Sequence, residues 1–220
     1  MHTFDTPTPI STVLDIPTGR VRFIAADRTD ATVEVLPADA TKSRDVKAAT
    51  QATVDFADGV LRIGTPAKSG LLGPSGSVEV RVQLPAGCRV EAKAASADLR
   101  AVGRLGDVTF ECAHGGIKLD EAGDVRLTAI DGDVEVGRLN GSAEISTARG
   151  DLRIAEAGPG TVVLRTQSGD ISVGAAAGVS ASLDADTSIG RISNALRNDG
   201  TTDLAIHATT ARGDIAARSL

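Results

Sequence analysis

The sequence predicts an all-β chain: a parallel β-solenoid of about seven two-strand coils, each about 18 residues long, with an N-terminal β-rich cap. Three observations carry this. A Gly-Asp-aliphatic triplet recurs along the C-terminal two-thirds. Around each triplet, apolar and polar residues alternate with the period of a strand that has one face in and one face out. Aromatic residues are almost missing, with four Phe, no Tyr and no Trp in 220 residues, as a thin aliphatic core requires.

The first 86 residues alternate over 11–16, 21–25, 32–36, 53–56, 60–63 and 78–84, which predicts strands. Pro17-Thr18-Gly19 and Ala57-Asp58-Gly59 are turn signals. Residues 38–50 read as a long loop or short helix, and 64–77, rich in Gly, Ser and Pro, as a mobile loop. Leu14-Asp15-Ile16-Pro17-Thr18-Gly19 echoes Val82-Gln83-Leu84-Pro85-Ala86-Gly87, which suggests a divergent repeat. Region 1–86 is therefore read as a cap and 87–220 as the solenoid, because an open sheet edge invites aggregation.

In the solenoid the triplet appears as Gly106-Asp107-Val108, Gly123-Asp124-Val125, Gly132-Asp133-Val134, Gly150-Asp151-Leu152, Gly169-Asp170-Ile171 and Gly213-Asp214-Ile215. The coils fall at 88–105, 106–122, 123–140, 141–159, 160–177, 178–199 and 200–220, stacked in that order. Stacking aligns Val90, Val108, Val125, Ala143 and Val162 in one column, and Leu99, Ile117, Val134, Leu152, Ile171, Ile192 and Ile215 in another. A third, Ala94, Cys112, Ala129, Thr147 and Thr166, is small and inward. Intervening positions are polar, and opposite charges such as Glu135 and Arg153 fall on neighbouring coils. No coil buries its apolar face alone; parallel neighbours about 4.8 Å apart do.

The strand pattern Ser/Thr-x-x-Gly-Asp-aliphatic-x-aliphatic, after Val82-Gln83-Leu84-Pro85-Ala86-Gly87, resembles the domain-of-unknown-function 4097 family, also called the "putative adhesin" or Toastrack β-strand-repeat family. The residues that carry the resemblance lie at 82–87, 132–136, 146–154, 167–173 and 212–215. It implies a scaffold of the adhesin or envelope-signalling kind, often found beside a membrane segment, and it brings no catalytic residues with it.

Composition narrows the function further. A net charge of −6 disfavours non-specific nucleic-acid binding, which runs on phosphate neutralisation. Met1-His2-Thr3-Phe4-Asp5-Thr6-Pro7 has no basic start and no apolar run, so a cytoplasmic location and no direct membrane insertion are expected. Cys88 and Cys112 are expected to be free thiols, Cys112 in an interior column beside His114. His2 and His207 have no ligand spacing around them, and Gly70-Leu71-Leu72-Gly73-Pro74-Ser75-Gly76-Ser77 lacks the ending of a phosphate loop. No catalytic residue, metal or cofactor is expected, and a small-molecule ligand is disfavoured.

Asp133, Asp151 and Asp170 form the one conspicuous functional column. It reads either as a Ca²⁺ ladder or as Asx-type turns in which each carboxylate accepts a backbone N–H. Turns are favoured, because Arg191 is expected to interrupt the column between Asp170 and Asp214. Glu135 with Asp120, or Asp184 with Asp186, are the carboxylate pairs a carbohydrate-active β-helix would need. Leu71 and Leu72 are the candidate contact for a partner or a second copy. The expected function is a non-catalytic interaction scaffold that binds protein partners or self-associates. A bactofilin-like filament and a carbohydrate-binding or carbohydrate-active β-helix are the alternatives.

Overall fold

The structure is a computed structural model and describes residues 1–65 and 76–220. The chain divides into two compact units, Met1–Gly115 and Gly116–Leu220. Both are parallel β-solenoid, so the predicted fold class holds.

In the first unit the strands are β1 (His2–Asp5), β2 (Ser11–Ala26), β3 (Asp30–Pro37), β4 (Thr53–Ala57), β5 (Val60–Gly64), β6 (Val78–Pro85), β7 (Arg89–Arg104) and β8 (Val108–His114), with one helix, α1 (Ser43–Thr50). The six predicted N-terminal segments all lie in strands, but 11–16 and 21–25 belong to the single strand β2: Pro17-Thr18-Gly19 is not a turn, because Thr18 and Gly19 stay in the ladder opposite Ser96 and Ala97. Residues 38–50 supply the helix. β2 runs parallel to β7 from Ser11↔Arg89 to Ile24↔Val102. On its other side β2 pairs with β5 through its first half and with β6 through its second. β2 is thus a full winding between β5/β6 and β7, although it precedes both in sequence. The echo between 14–19 and 82–87 is not a repeat in register: Leu14 pairs with Ile63, whereas Val82 pairs with Phe23.

Antiparallel strands close this edge. β4 covers β5, β3 covers β6, and β1 covers β3. The β4–β5 hairpin turns through Asp58 (φ 53°) and Gly59 (φ 73°), the two positive φ values of a type I′ turn. Phe23 joins Phe110 as a fully buried aromatic, while Phe4 and Phe56 pack on each other at 5.4 Å.

In the second unit the strands are β9 (Ile117–Ala122), β10 (Val125–Thr128), β11 (Val134–Leu139), β12 (Ala143–Ser146), β13 (Leu152–Ala157), β14 (Gly160–Ser168), β15 (Ile171–Ala175), β16 (Ala181–Ile189), β17 (Ile192–Ala195), β18 (Leu204–Arg212) and β19 (Ile215–Ser219). The aliphatic columns stack in the predicted register, Val134↔Leu152↔Ile171, and all three side chains are buried.

The order of the last windings differs from the expectation. β18 pairs with β14 on one side and β16 on the other; β19 pairs likewise with β15 and β17. The stack therefore runs Ile171, Ile215, Ile192. Ile215 is 1% exposed and Ile192 is 48% exposed. The more apolar winding, with Leu204, Ile206, Ala208, Ile215 and Ala217 facing in, takes the interior slot. The winding that puts Asn194 in the column of Val173 and Ala217 takes the edge, where Asn194 is exposed. Hydrophobic burial explains the choice, at about 25 cal/mol per Å² of apolar surface.

Candidate functional site

The Gly-Asp corner of the second unit is its most regular chemical feature. Asp133 Oδ1 accepts the backbone N–H of Asp151 at 2.8 Å, Asp151 Oδ1 that of Asp170 at 2.8 Å, and Asp170 Oδ1 that of Asp214 at 2.8 Å. Asp214 Oδ1 then accepts the N–H of Arg191 at 2.9 Å, and the Arg191 guanidinium reaches Asp214 Oδ2 at 3.3 Å. Each carboxylate thus bonds to the next winding, not within its own turn. Arg191 does not interrupt the column between Asp170 and Asp214; it follows Asp214 and ends the ladder. The N–H of Arg191 is the leading reason the Asp214 carboxyl lies below its ordinary value, and the guanidinium adds to it.

Glycine beside each Asp makes this approach possible. A Cβ on Gly150 would lie 2.2 Å from the carbonyl oxygen of Gly132, and one on Gly169 would lie 2.0 Å from that of Gly150. Inside the same corner, threonines satisfy the glycine carbonyls. Thr166 Oγ1 donates to Gly150 O at 3.2 Å, Thr210 Oγ1 to Gly169 O at 3.1 Å, and Thr187 Oγ1 to Gly213 O at 3.0 Å. Thr147 and Thr166 are buried, as their column predicted.

The Asp column is therefore one clamp repeated winding by winding. Among the described residues, no group of three or more His, Cys, Asp or Glu is arranged to hold a metal ion.

The other sequence candidates do not converge. Glu135 Oε2 binds Lys118 Nζ at 2.7 Å, and Asp120 stands on the neighbouring strand beside Gly137. Asp184 faces His207 Nδ1 at 3.3 Å on the surface, and Asp186 lies two residues along the same outer face of β16. Cys112 is buried and its thiol donates to the carbonyl oxygen of His114 at 3.0 Å. Cys88 is buried, accepts the Ile10 N–H at 3.2 Å, and burial pushes its thiol up. Both cysteines are free. Leu71 and Leu72 lie outside the described residues.

One feature was missed from sequence. A cleft of about 910 Å³ in the first unit is lined by Pro17, Thr18, Asp39, Lys42, Arg44 and Asp45, among others. Asp45 is buried at its wall and accepts the Ser77 N–H at 3.0 Å. Its charges are balanced in place, Lys42 with Asp39 at 3.2 Å and Arg44 with Asp45 at 3.7 Å. Thr41, through its hydroxyl and N–H, and then Lys42 hold the Asp39 carboxyl at about 2. The sequence signal was weak: an Asp39-x-Thr41 turn ahead of a charged run, with Ser77 far along the chain.

These windings, clamped at one corner and filled with aliphatic residues, define a β-solenoid scaffold of the Toastrack class. The sequence model of the Toastrack DUF4097 family matches residues 12–219, and the chain belongs to that family. No curated protein sequence matches it. Solved bacterial structures are similar to it at low identity. A "putative lipid binding protein" from Parabacteroides distasonis is 11% identical, with a TM-score of 0.50 over 97% of this chain and 95% of that one. A "putative cell adhesion protein" from Clostridium sporogenes is 10% identical, with a TM-score of 0.47 over 100% and 98%. A "putative adhesin" from Bacteroides fragilis is 12% identical, with a TM-score of 0.39 over 98% and 95%.

Proposed function

We propose that this chain is a non-catalytic β-solenoid scaffold that binds protein partners or a second copy of itself. One observation carries the reading: outward charges in the second unit are neutralised from winding to winding. Lys118 pairs with Glu135 at 2.7 Å, Arg126 with Glu144 at 3.1 Å, Arg138 with Glu156 at 2.9 Å, and Arg165 with Glu144 at 3.9 Å. Such exposed pairs contribute little stability, about 0–1 kcal/mol each. They lie along two ladders, β9/β11/β13 and β10/β12/β14, and their carboxylates are committed to neighbours and do not gather around a reacting atom. The edge formed by β16 and β17, with Ile189 62% and Ile192 48% exposed, supports the self-association clause. Arg191 weighs against a head-to-tail filament, because it offers no carboxylate to a further winding.

The test is a chain with Lys118→Glu, Arg126→Glu and Arg165→Glu, compared with the unaltered protein in cross-linking and light scattering. The expected result is a partner set or an oligomer that the unaltered chain forms and the variant loses, with the β-sheet circular dichroism signal unchanged. A strict monomer at every concentration removes self-association. If, in addition, the unaltered chain cross-links to no other protein, the scaffold reading fails.

A further inference from the structure

We propose that the winding formed by β18 and β19 is an exchangeable insert: it leaves and re-enters its slot as a unit, and the slot also accepts the same winding from a second copy of this chain. The chain reaches this winding only after β16 and β17, yet in space it lies between β14/β15 and β16/β17. It has been intercalated between two windings that precede it in sequence.

The register makes the slot closable. Val162 and Leu183 both pair with Ile206, Leu164 and Ala185 both with Ala208, and Ile171 and Ile192 both with Ile215. If the insert leaves, β16 and β17 can drop one rung, about 4.8 Å, onto β14 and β15 without a register shift. Leu183 then falls on Val162 and Ile192 on Ile171. Thr187 finds Gly169 O, the acceptor Thr210 uses now, and the Arg191 N–H finds Asp170 Oδ1, the acceptor the Asp214 N–H uses now. The opened state keeps every clamp but one, so it costs less than unfolding the unit.

The connection lies outside the core. Residues 197–203 are exposed, and their bonds to the rest of the unit centre on the facing 180–181 segment: the Ala181 N–H to Arg197 O at 2.9 Å, the Asp203 N–H to Ser180 O at 2.9 Å, Ser180 Oγ to Thr201 O at 2.6 Å and Asn198 Nδ2 to Ala181 O at 3.2 Å. At Gly200 a Cβ would meet nothing within 4 Å, so the loop tip has room for added chain. A segment that closes its own slot through an exposed loop is the geometry from which copies exchange elements.

The test uses the full chain with a site-specific protease sequence inserted after Gly200. After cleavage, the protein is incubated with a fluorescent peptide of residues 201–220. The expected result is uptake of the peptide and displacement of the chain's own segment, with no uptake by the uncut protein. A Gly213→Ala peptide should compete at least about tenfold more weakly, because its Cβ would sit 2.0 Å from Gly169 O. Equal uptake of that peptide, or uptake only in denaturant that melts the whole chain, overturns the proposal. Hydrogen exchange on the unaltered chain is the second measurement. Amides of β18 and β19 should exchange through one shared opening, at least about tenfold faster than those of β12 and β13. Equal protection of all four strands overturns it as well.

Discussion

Both units stack parallel windings, but they finish the stack differently. In Met1–Gly115 the outermost parallel strands, β5 and β6, are each covered by an antiparallel neighbour, and β1 adds a further strand over β3. In Gly116–Leu220 the outermost strands, β16 and β17, run parallel to β18 and β19 and have no other strand partner among the described residues. A reversed strand ends a parallel stack because it does not continue the winding, and it hides the apolar rows beneath it. Without one, Leu183 and Ala185 stay half-buried and Ile192 half-exposed. The units also share a device. Each places a winding out of chain order, β2 between β5/β6 and β7, and β18/β19 between β14/β15 and β16/β17. Neighbours in the stack are therefore not always neighbours in sequence.

The largest contrast between the units should come from their glycines. Gly169→Ala forces a methyl group to 2.0 Å from the main-chain oxygen of Gly150 on the preceding winding and should destabilise by about 3 kcal/mol or more. Gly59→Ala, at a hairpin tip with φ +73° and nothing within 4 Å, should cost only about 1–2 kcal/mol. Urea unfolding of both variants measures the difference; equal losses would mean the corner is not clamped.

Next in size is the order of the windings. Ile215→Ala removes a side chain buried between two rungs and should cost about 2–5 kcal/mol. Ile192→Ala, at the half-exposed edge, should cost less than about 1.5 kcal/mol. Chain-order stacking demands the reverse ranking, so thermal melts of this pair test the intercalation directly.

Smaller effects separate the buried threonines. Thr12 in the first unit is 1% exposed, and its hydroxyl has no hydrogen-bond partner among the described residues. Thr12→Val should stabilise by about 1 kcal/mol. Thr166→Val in the second unit breaks the bond to Gly150 O and should destabilise by about 1 kcal/mol. Opposite signs in denaturant midpoints confirm the distinction, and equal signs erase it.

The smallest effect is acid sensitivity. In the second unit Asp199, held chiefly by the Thr201 hydroxyl, and Asp214, held chiefly by the Arg191 N–H, lie below their ordinary 3.8; in the first, Asp39 lies at about 2. A lowered carboxyl favours the folded state fully above its unfolded value and loses that contribution as pH falls through the folded value. All three contributions should therefore be intact above pH 3.8, with Asp39 the last to protonate, near 2. A carboxyl-carbon NMR titration reads the order, and Asp39 protonating before the other two would reverse it.

Much of this architecture was legible in the residues. Val134, Leu152 and Ile171 announce their column because period-2 alternation inside a longer period has only one packed solution. The clamp was half legible: the Gly-Asp pair marked the corner, but nothing local says whether Asp133 bonds within its turn or to Asp151. The exchange of windings was hidden because 181–195 and 204–219 fit the same register. Only Arg191 in the Asp position and Asn194 in an aliphatic column distinguish the edge. The cleft was hidden because the burial of Asp45 depends on Ser77, which is 32 residues away.

The Gly-Asp clamp also governs where the chain can vary in length. Successive links join residues 18, 19, 44 and 23 positions apart, yet the bond is the same each time. Extra residues gather at the other corner, as in 176–180 and 196–203, and leave the spine undisturbed. That corner is a natural grafting point: peptides inserted there can be displayed at rung spacing within the second unit without retuning the core.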